Sequence, residues 1–243
     1  MAEGDARFLT TRWSLIQRAG VKSEEQAPAL EDLCGAYWYP LYAFARRRGA
    51  SVEDASDAVQ GFFLDLLSRE SLAVASEERG RFRNFLLTSF SNYQAKQREK
   101  GAALKRGGGK QTISFEREEA ERRYSLEGSA SSSPEKQFLR AWTLELLEHA
   151  REKLAESYRE RQQENLFYAL QDYLAETAPP PYEAIAHDLG KTVGTIRVAL
   201  HRMRGRYRKA VRHAIADTLD SSSDEAIETE LSELLSALSS TGL

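Results

Sequence analysis

Soft and metal-binding side chains are scarce in this chain: one cysteine, four histidines and two methionines in 243 residues. A single cysteine excludes an internal disulfide, and Cys34 falls on an apolar helical face, where a core thiol is expected. His149, His187, His201 and His213 show no paired metal spacing, so no zinc site is expected. No apolar run approaches the ~20 residues that a membrane-spanning helix needs. The first residues, MAEGDARFLTTRW, lack the basic flank and apolar stretch of a secretory signal. Strict apolar–polar alternation is missing too, which argues against strands. Gly107–Gly109 with Lys110 lacks the G-x-x-x-x-G-K-[ST] spacing of a phosphate loop, and the many carboxylates read as solvated helix faces. These absences set aside secreted scaffold, membrane protein and zinc finger. They leave no catalytic constellation, no metal and no cofactor to expect. A non-enzymatic protein of the reducing cytoplasm fits best.

What is present is charge, sorted into blocks. Hydrophobic residues make up 41% and charged residues 29%, and the net charge is −3. From Arg79 to Lys110 there are nine basic residues against one acid, Glu99, and from Lys191 to His213 eight basic residues and no acid. The tail from Asp217 to Leu243 reverses this, with seven acids and no base, so the chain without it would carry +4. Two basic blocks with interleaved aromatics (Phe82, Phe85, Phe90 and Tyr93 in the first, Tyr207 in the second) are the electrostatic footprint of a nucleic-acid binder.

Helical periodicity organises the rest. Leu30, Leu33, Cys34, Tyr37 and Leu41 recur at helical spacing, with a kink expected at Pro40. Ser51 and Asp54 form a capping box, and Ala55, Ala58, Val59, Phe62, Phe63, Leu66 and Leu67 follow as one apolar stripe. A loop, roughly Ser76 to Arg81, leads into a helix bearing Phe85, Leu86 and Ser89 through Lys96. Glycine and serine then mark a linker, with room for a short mixed-charge helix. Beyond it Phe138, Trp142, Leu146, Ala150 and Leu154 share a face. The expectation is all-α: a helical domain over 1–100, a flexible linker over 101–134, a second helical domain over 135–216 and an acidic tail over 217–243.

Residues 182–207 carry the most specific pattern. Ile185, Ala186 and Leu189 pack a first helix, Gly190 takes a left-handed turn, Thr192 caps a second helix, and Ile196 and Leu200 pin it. Thr195, Arg197, Val198, His201 and Arg202 are left facing outward, where a recognition helix meets base edges and phosphates. An ordinary helical hairpin would share the spacing. The continuation Arg204, Arg206, Arg208 and Lys209, free of acids, favours DNA.

Here the chain resembles the extracytoplasmic-function sigma factors, promoter-specificity subunits of bacterial RNA polymerase, and its Thr11-Arg-Trp-Ser-Leu segment, Tyr37-Trp-Tyr-Pro cluster and tail look like a subgroup frequent in planctomycete-type bacteria. The family pattern Y-x-E-I-A-x-x-L-G then G-T-[VI]-[KR]-x-x-x-x-R is matched by Tyr182, Ile185, Ala186, Leu189 and Gly190, then Gly194, Thr195, Ile196, Arg197 and Arg202; it departs where the family writes E-E-I-A and this chain has Glu183-Ala184-Ile185-Ala186. The second family pattern, D-A-x-D-x-x-Q-x-x-F, is matched by Asp54, Ala55, Asp57, Gln60 and Phe63. Phe85, Leu86 and Asn92 match the next helix, and Lys96 stands near a place where the family often has an acid. The two motifs occur in family order, and the resemblance spans about Leu30 to Ala216.

The resemblance implies binding to core RNA polymerase, through the β′ clamp, by Asp54, Asp57, Gln60 and Phe63. A helical wheel adds Leu64 beside Asp57 and Gln60, with Leu67 at the rim: an apolar centre among polar neighbours. Phe63 lies near the core edge, where packing is its alternative role. The resemblance also implies that the segment around Arg79, Arg81, Phe82, Arg83 and Asn84 captures a flipped base of the downstream promoter element, with Asn92, Lys96 and Arg98 beside it. Phe85 reads as core, and Phe82 as the ring more available to stack. The upstream element falls to Thr192, Thr195, Arg197, Val198, His201, Arg202, Arg204 and Arg206. An anti-sigma factor or other regulator is a further partner the family allows. The alternative is a free-standing helix-turn-helix regulator that binds an operator without polymerase. In the tail, Ile227, Leu231, Leu234, Leu235 and Leu238 predict an amphipathic helix from about Asp224 to Leu238. Its acids point to a basic partner, and the block Lys191–His213 is the expected one, in competition with DNA; a regulator or polymerase is the other candidate, and a solvated tail the plain alternative.

Overall fold

The computed structural model describes residues 26–68, 81–103, 114–126, 133–175, 179–216, 218–219 and 223–239. Among them are nine α-helices, one short 3-10 helix and no strand. The helices are α1 (Gln26–Arg47), α2 (Val52–Ser68), α3 (Phe82–Ala103), α4 (Ser114–Leu126), α5 (Pro134–Arg159), α6 (Glu164–Leu170), α7 (Tyr182–Asp188), α8 (Val193–Ala216) and α9 (Asp224–Ser239). The 3-10 turn, Gln171–Leu174, follows α6 directly. No helix among the described residues is long and apolar enough to cross a membrane. The chain divides into two compact units, one taking residues through Glu145 together with those from Ala216 onward, the other Leu146–Ile215. The division therefore falls inside α5, later than the boundary expected at 135, and the tail belongs with the first unit.

The first unit is built around aromatics. α1 runs through Pro40, and from Leu41 to Ala45 every residue is buried, so this stretch is apolar on all sides. It stops at Gly49 (φ 87°), where the amides of Gly49 and Ala50 return to the carbonyls of Arg46 (3.0 Å) and Ala45 (3.1 Å). That is a Schellman ending, with glycine at its left-handed position. Ser51 then caps α2: its Oγ accepts the Asp54 amide at 3.0 Å and donates to the Asp54 carboxylate at 2.8 Å. Of the apolar stripe read from the sequence, α2 buries Ala55, Val59, Phe62, Phe63 and Leu66, and Ala58 is half-buried. Phe90 of α3 meets Phe62 and Phe44 at centroid distances of 5.2 and 6.1 Å. Edge-on and tilted rings at such separations add to their area burial.

The stretch expected as a linker contains α4, which is tied to α1. Arg46 donates through Nε and Nη2 to both oxygens of Glu121 (3.0 and 2.9 Å), and the Tyr42 hydroxyl donates to Oε2 at 2.6 Å. Burial works against ionisation of Glu121, yet these hydrogen bonds hold its carboxyl below the usual range. Arg123 lies over the Tyr39 ring, 3.8 Å from its centroid. Local composition gave no sign of this anchoring, because its partners are 75 or more residues away.

The second unit packs Leu154 and Tyr158 of α5 against Phe167 and Leu170 of α6, Ile185 and Ala186 of α7, and Ile196, Leu200 and Met203 of α8. The hydroxyl of Tyr207 donates to the Leu147 carbonyl at 3.1 Å, and its burial pushes its pKa upward. The turn between α7 and α8 repeats the ending of α1. Gly190 has φ 60°, and the amides of Gly190 and Lys191 return to His187 (3.1 Å) and Ala186 (2.8 Å). A Cβ at Gly190 would meet nothing within 4 Å, so an alanine there bears only the cost of left-handed backbone. Gly190→Ala should destabilise the folded protein by about 1 kcal/mol, measured by denaturant titration.

Candidate nucleic-acid and protein-docking surfaces

Three surfaces carry the residues singled out in the sequence. The first is the solvent side of α2. With its apolar stripe buried, Asp54, Asp57, Gln60 and Leu64 are left exposed, and Leu64 keeps 64% of its surface in water. The wheel placed them there, and Phe63 turns inward at 5% exposure, so packing is its role in this arrangement. Leu67 lies on the helix, but its side chain is outside the described residues. A groove of about 530 Å³ adjoins the patch, lined by Asp54, Asp57, Tyr93, Gln94 and Arg98 among others. An exposed leucine flanked by an acid and an amide has the apolar centre and polar rim of a small protein-docking patch.

The second surface is the start of α3. Asn84, Asn92, Lys96 and Arg98 are exposed, and Arg81 is partly so. Arg79 lies outside the described residues. Phe82 and Phe85 trade the places expected of them: Phe82 is buried, edge-on to Tyr37 at 5.7 Å, while Phe85 is only half-buried. Both rings lie in the first turn of α3, where a periodicity without a preceding turn does not fix which residue points inward. Arg83 is also buried, at 3% exposure, with its guanidinium 5.0 Å from the Trp142 ring centroid. A direct stacking role for Phe82, and an exposed one for Arg83, are therefore corrected for this arrangement of the chain.

What covers Arg83 is the tail. Glu230, with no exposed surface, pairs with Arg83 and lies 2.7 Å from Arg81, a charge contact without hydrogen-bond alignment at that oxygen. Glu233 pairs with both arginines, at 3.3 Å from Arg83. Burial opposes ionisation of Glu233, but the hydrogen bond from Arg81 and the two nearby positive charges hold its carboxyl low. α9 thus forms as the tail's periodicity predicted, capped by Ser223 and burying Ile227 and Leu234. The expected pairing with Lys191–His213 is corrected: the acids of α9 engage Arg81 and Arg83 of the first unit. Arg83 also lies against the Trp142 ring, and Ile227 and Leu234 of α9 are buried. Sequence reasoning missed Glu230 and Glu233. Their i, i+3 spacing in a tail without bases was the only local signal.

The third surface is α8. Thr192 caps it, its Oγ1 accepting the Thr195 amide at 3.2 Å. Thr195, Arg197, Val198, His201, Arg202 and Arg204 are exposed, Val198 at 51%. Arg197 sits 5.6 Å from the ring centroid of Tyr182, which stacks on Tyr173, and Arg204 donates to the Tyr173 carbonyl at 3.3 Å. Arg206 is half-buried, 5.3 Å from the Tyr158 ring centroid. Lys191, Thr192, Thr195, Arg202 and Arg206 line one groove of about 630 Å³. An exposed basic helix face, begun by a capped N-terminus with an adjoining groove, can accept a phosphodiester backbone and reach base edges.

Comparison with known family models, curated proteins and solved structures finds no match to this chain.

Proposed function

We propose that this protein is a bacterial RNA polymerase sigma factor of the extracytoplasmic-function type. It binds core polymerase through the α2 patch, directs it to a promoter through α8, and assists opening of the DNA near the start of α3. The observation that carries the reading is the pairing, on one chain, of an exposed basic recognition helix after a glycine turn with a separate exposed Asp57–Gln60–Leu64 patch. A DNA-binding domain alone explains the helix. It leaves the α2 patch, with its exposed leucine among an acid and an amide, without a role.

The polar members of both motifs support these roles: Asp54, Asp57 and Gln60 are exposed on α2, and Thr195, Arg197 and Arg202 on α8, while Ala55, Phe63, Ile185, Ala186 and Ile196 are buried. The protein works in the cytoplasm, where polymerase and promoter are. The test is co-elution. Mixed with purified bacterial core RNA polymerase, the chain should travel with it through gel filtration at micromolar concentration. A free-standing operator-binding regulator would elute alone while still retarding duplex DNA, and that result would replace this reading with the other.

A further inference from the structure

The Arg81–Arg83 site is held by the protein's own carboxylates. Glu230 and Glu233 lie three residues apart on one face of α9, which sets them about 4.5 Å apart along the axis. Between them they meet both guanidinium groups. Farther along, Arg140 donates to the carbonyl of Leu238 at 3.1 Å, so basic groups of the first unit hold α9 at two places along its length. Packing alone does not account for this choice of residues. Burying an ion pair gains little over burying apolar side chains of similar size. A guanidinium fork binds carboxylate and phosphate through the same donors.

We infer that α9 is a built-in anionic occupant of the Arg81–Arg83 site, which keeps the free protein from single-stranded nucleic acid and gives way when that backbone is delivered in the polymerase complex. The inference rests on the reading of Arg81 as part of the nucleic-acid surface. The contact has an open edge from which exchange can begin: the side chains of Arg81 and Glu233 are 28% and 45% exposed, while Arg83 and Glu230 lie buried behind them. A competing phosphate meets Arg81 first. Once Glu233 is displaced, the buried Arg83–Glu230 pair loses its outer partner, and the helix is left with that pair, the Arg140 contact and the burial of Ile227 and Leu234 to hold it.

The experiment uses the full chain with Glu230→Gln and Glu233→Gln, which keep side-chain shape and remove both charges. The probe is fluorescein-labelled single-stranded oligothymidylate, titrated by anisotropy over a range of salt concentrations. The double variant should bind at least ~10-fold more tightly than the wild type at low salt. Its log K against log salt should steepen by about 1.4, because each additional phosphate neutralised on a single strand contributes about 0.7. Adding Arg81→Gln to the double variant should take back about half of that increase. Glu233→Gln alone, at a partly exposed position, should give a smaller gain in the same direction and serves if the double variant unfolds. Wild-type affinity and slope in variants whose circular dichroism is unchanged would overturn the inference. Co-elution of the wild type with core polymerase is scored separately. If it persists while the variants bind the probe no better, the tail is structural and the proposed function stands; if it fails, the proposed function falls on its own account.

Discussion

Leu64→Arg should abolish co-elution with core RNA polymerase while leaving the fold intact. The residue is 64% exposed, so its replacement removes little buried area, and surface changes of this kind usually stay within ~0.5 kcal/mol of wild-type stability. At the centre of a docked interface the same change buries a charge where a leucine belonged. Hot-spot residues, which cluster at the centre of an interface, cost ~2 kcal/mol or more when truncated, which is ~30-fold or more in affinity. Gln60→Arg, one helical turn earlier on the same face, should act in the same direction. Circular dichroism and thermal melting check the fold, and fluorescence anisotropy with labelled protein reads the affinity. Wild-type affinity in either folded variant would mean that the α2 patch is not where polymerase binds.

Arg197→Ala should change which base is preferred at one position of the upstream promoter element. Arg197 is exposed on the first turns of α8 and lies over the Tyr182 ring, which sets its guanidinium in place before DNA arrives. A side chain that reads a base contributes ~1–3 kcal/mol of discrimination there. Arg202→Ala, in the groove with Lys191 and Thr192, should instead weaken all sequences alike and lower the salt slope by about 0.9. Arg206 is a poorer choice for that comparison, because it is half-buried over Tyr158 and its removal disturbs packing as well. Binding profiles over a randomised element decide the matter. Identical preferences for wild type and Arg197→Ala would remove Arg197 from base recognition.

How far the sequence could be read depended on how local the determinants were. The capping box at Ser51 and the stripe from Ala55 to Leu66 are set within α2 itself, and the exposed patch follows by subtraction. Gly190 announced its turn because few other residues accept a φ of 60°. The helix of the tail was visible in its leucines, but its destination was not. The partners of Glu230 and Glu233 are about 150 residues away, and two basic blocks competed for the same acids. Arg83 also lies against the Trp142 ring, a long-range contact that periodicity does not display. The inward turn of Phe82 and the docking of α4 through Glu121 were hidden for the same reason.

The central claim is that this chain gives core RNA polymerase its promoter. The direct measurement is run-off transcription with purified core enzyme and a library of upstream sequences from the source genome, with transcript starts mapped by sequencing. With the chain added, a set of discrete starts should appear that core enzyme alone does not give. These starts should share an upstream element, and Leu64→Arg should abolish them. The same transcripts with and without the chain, from a preparation shown to bind duplex DNA, would contradict the account.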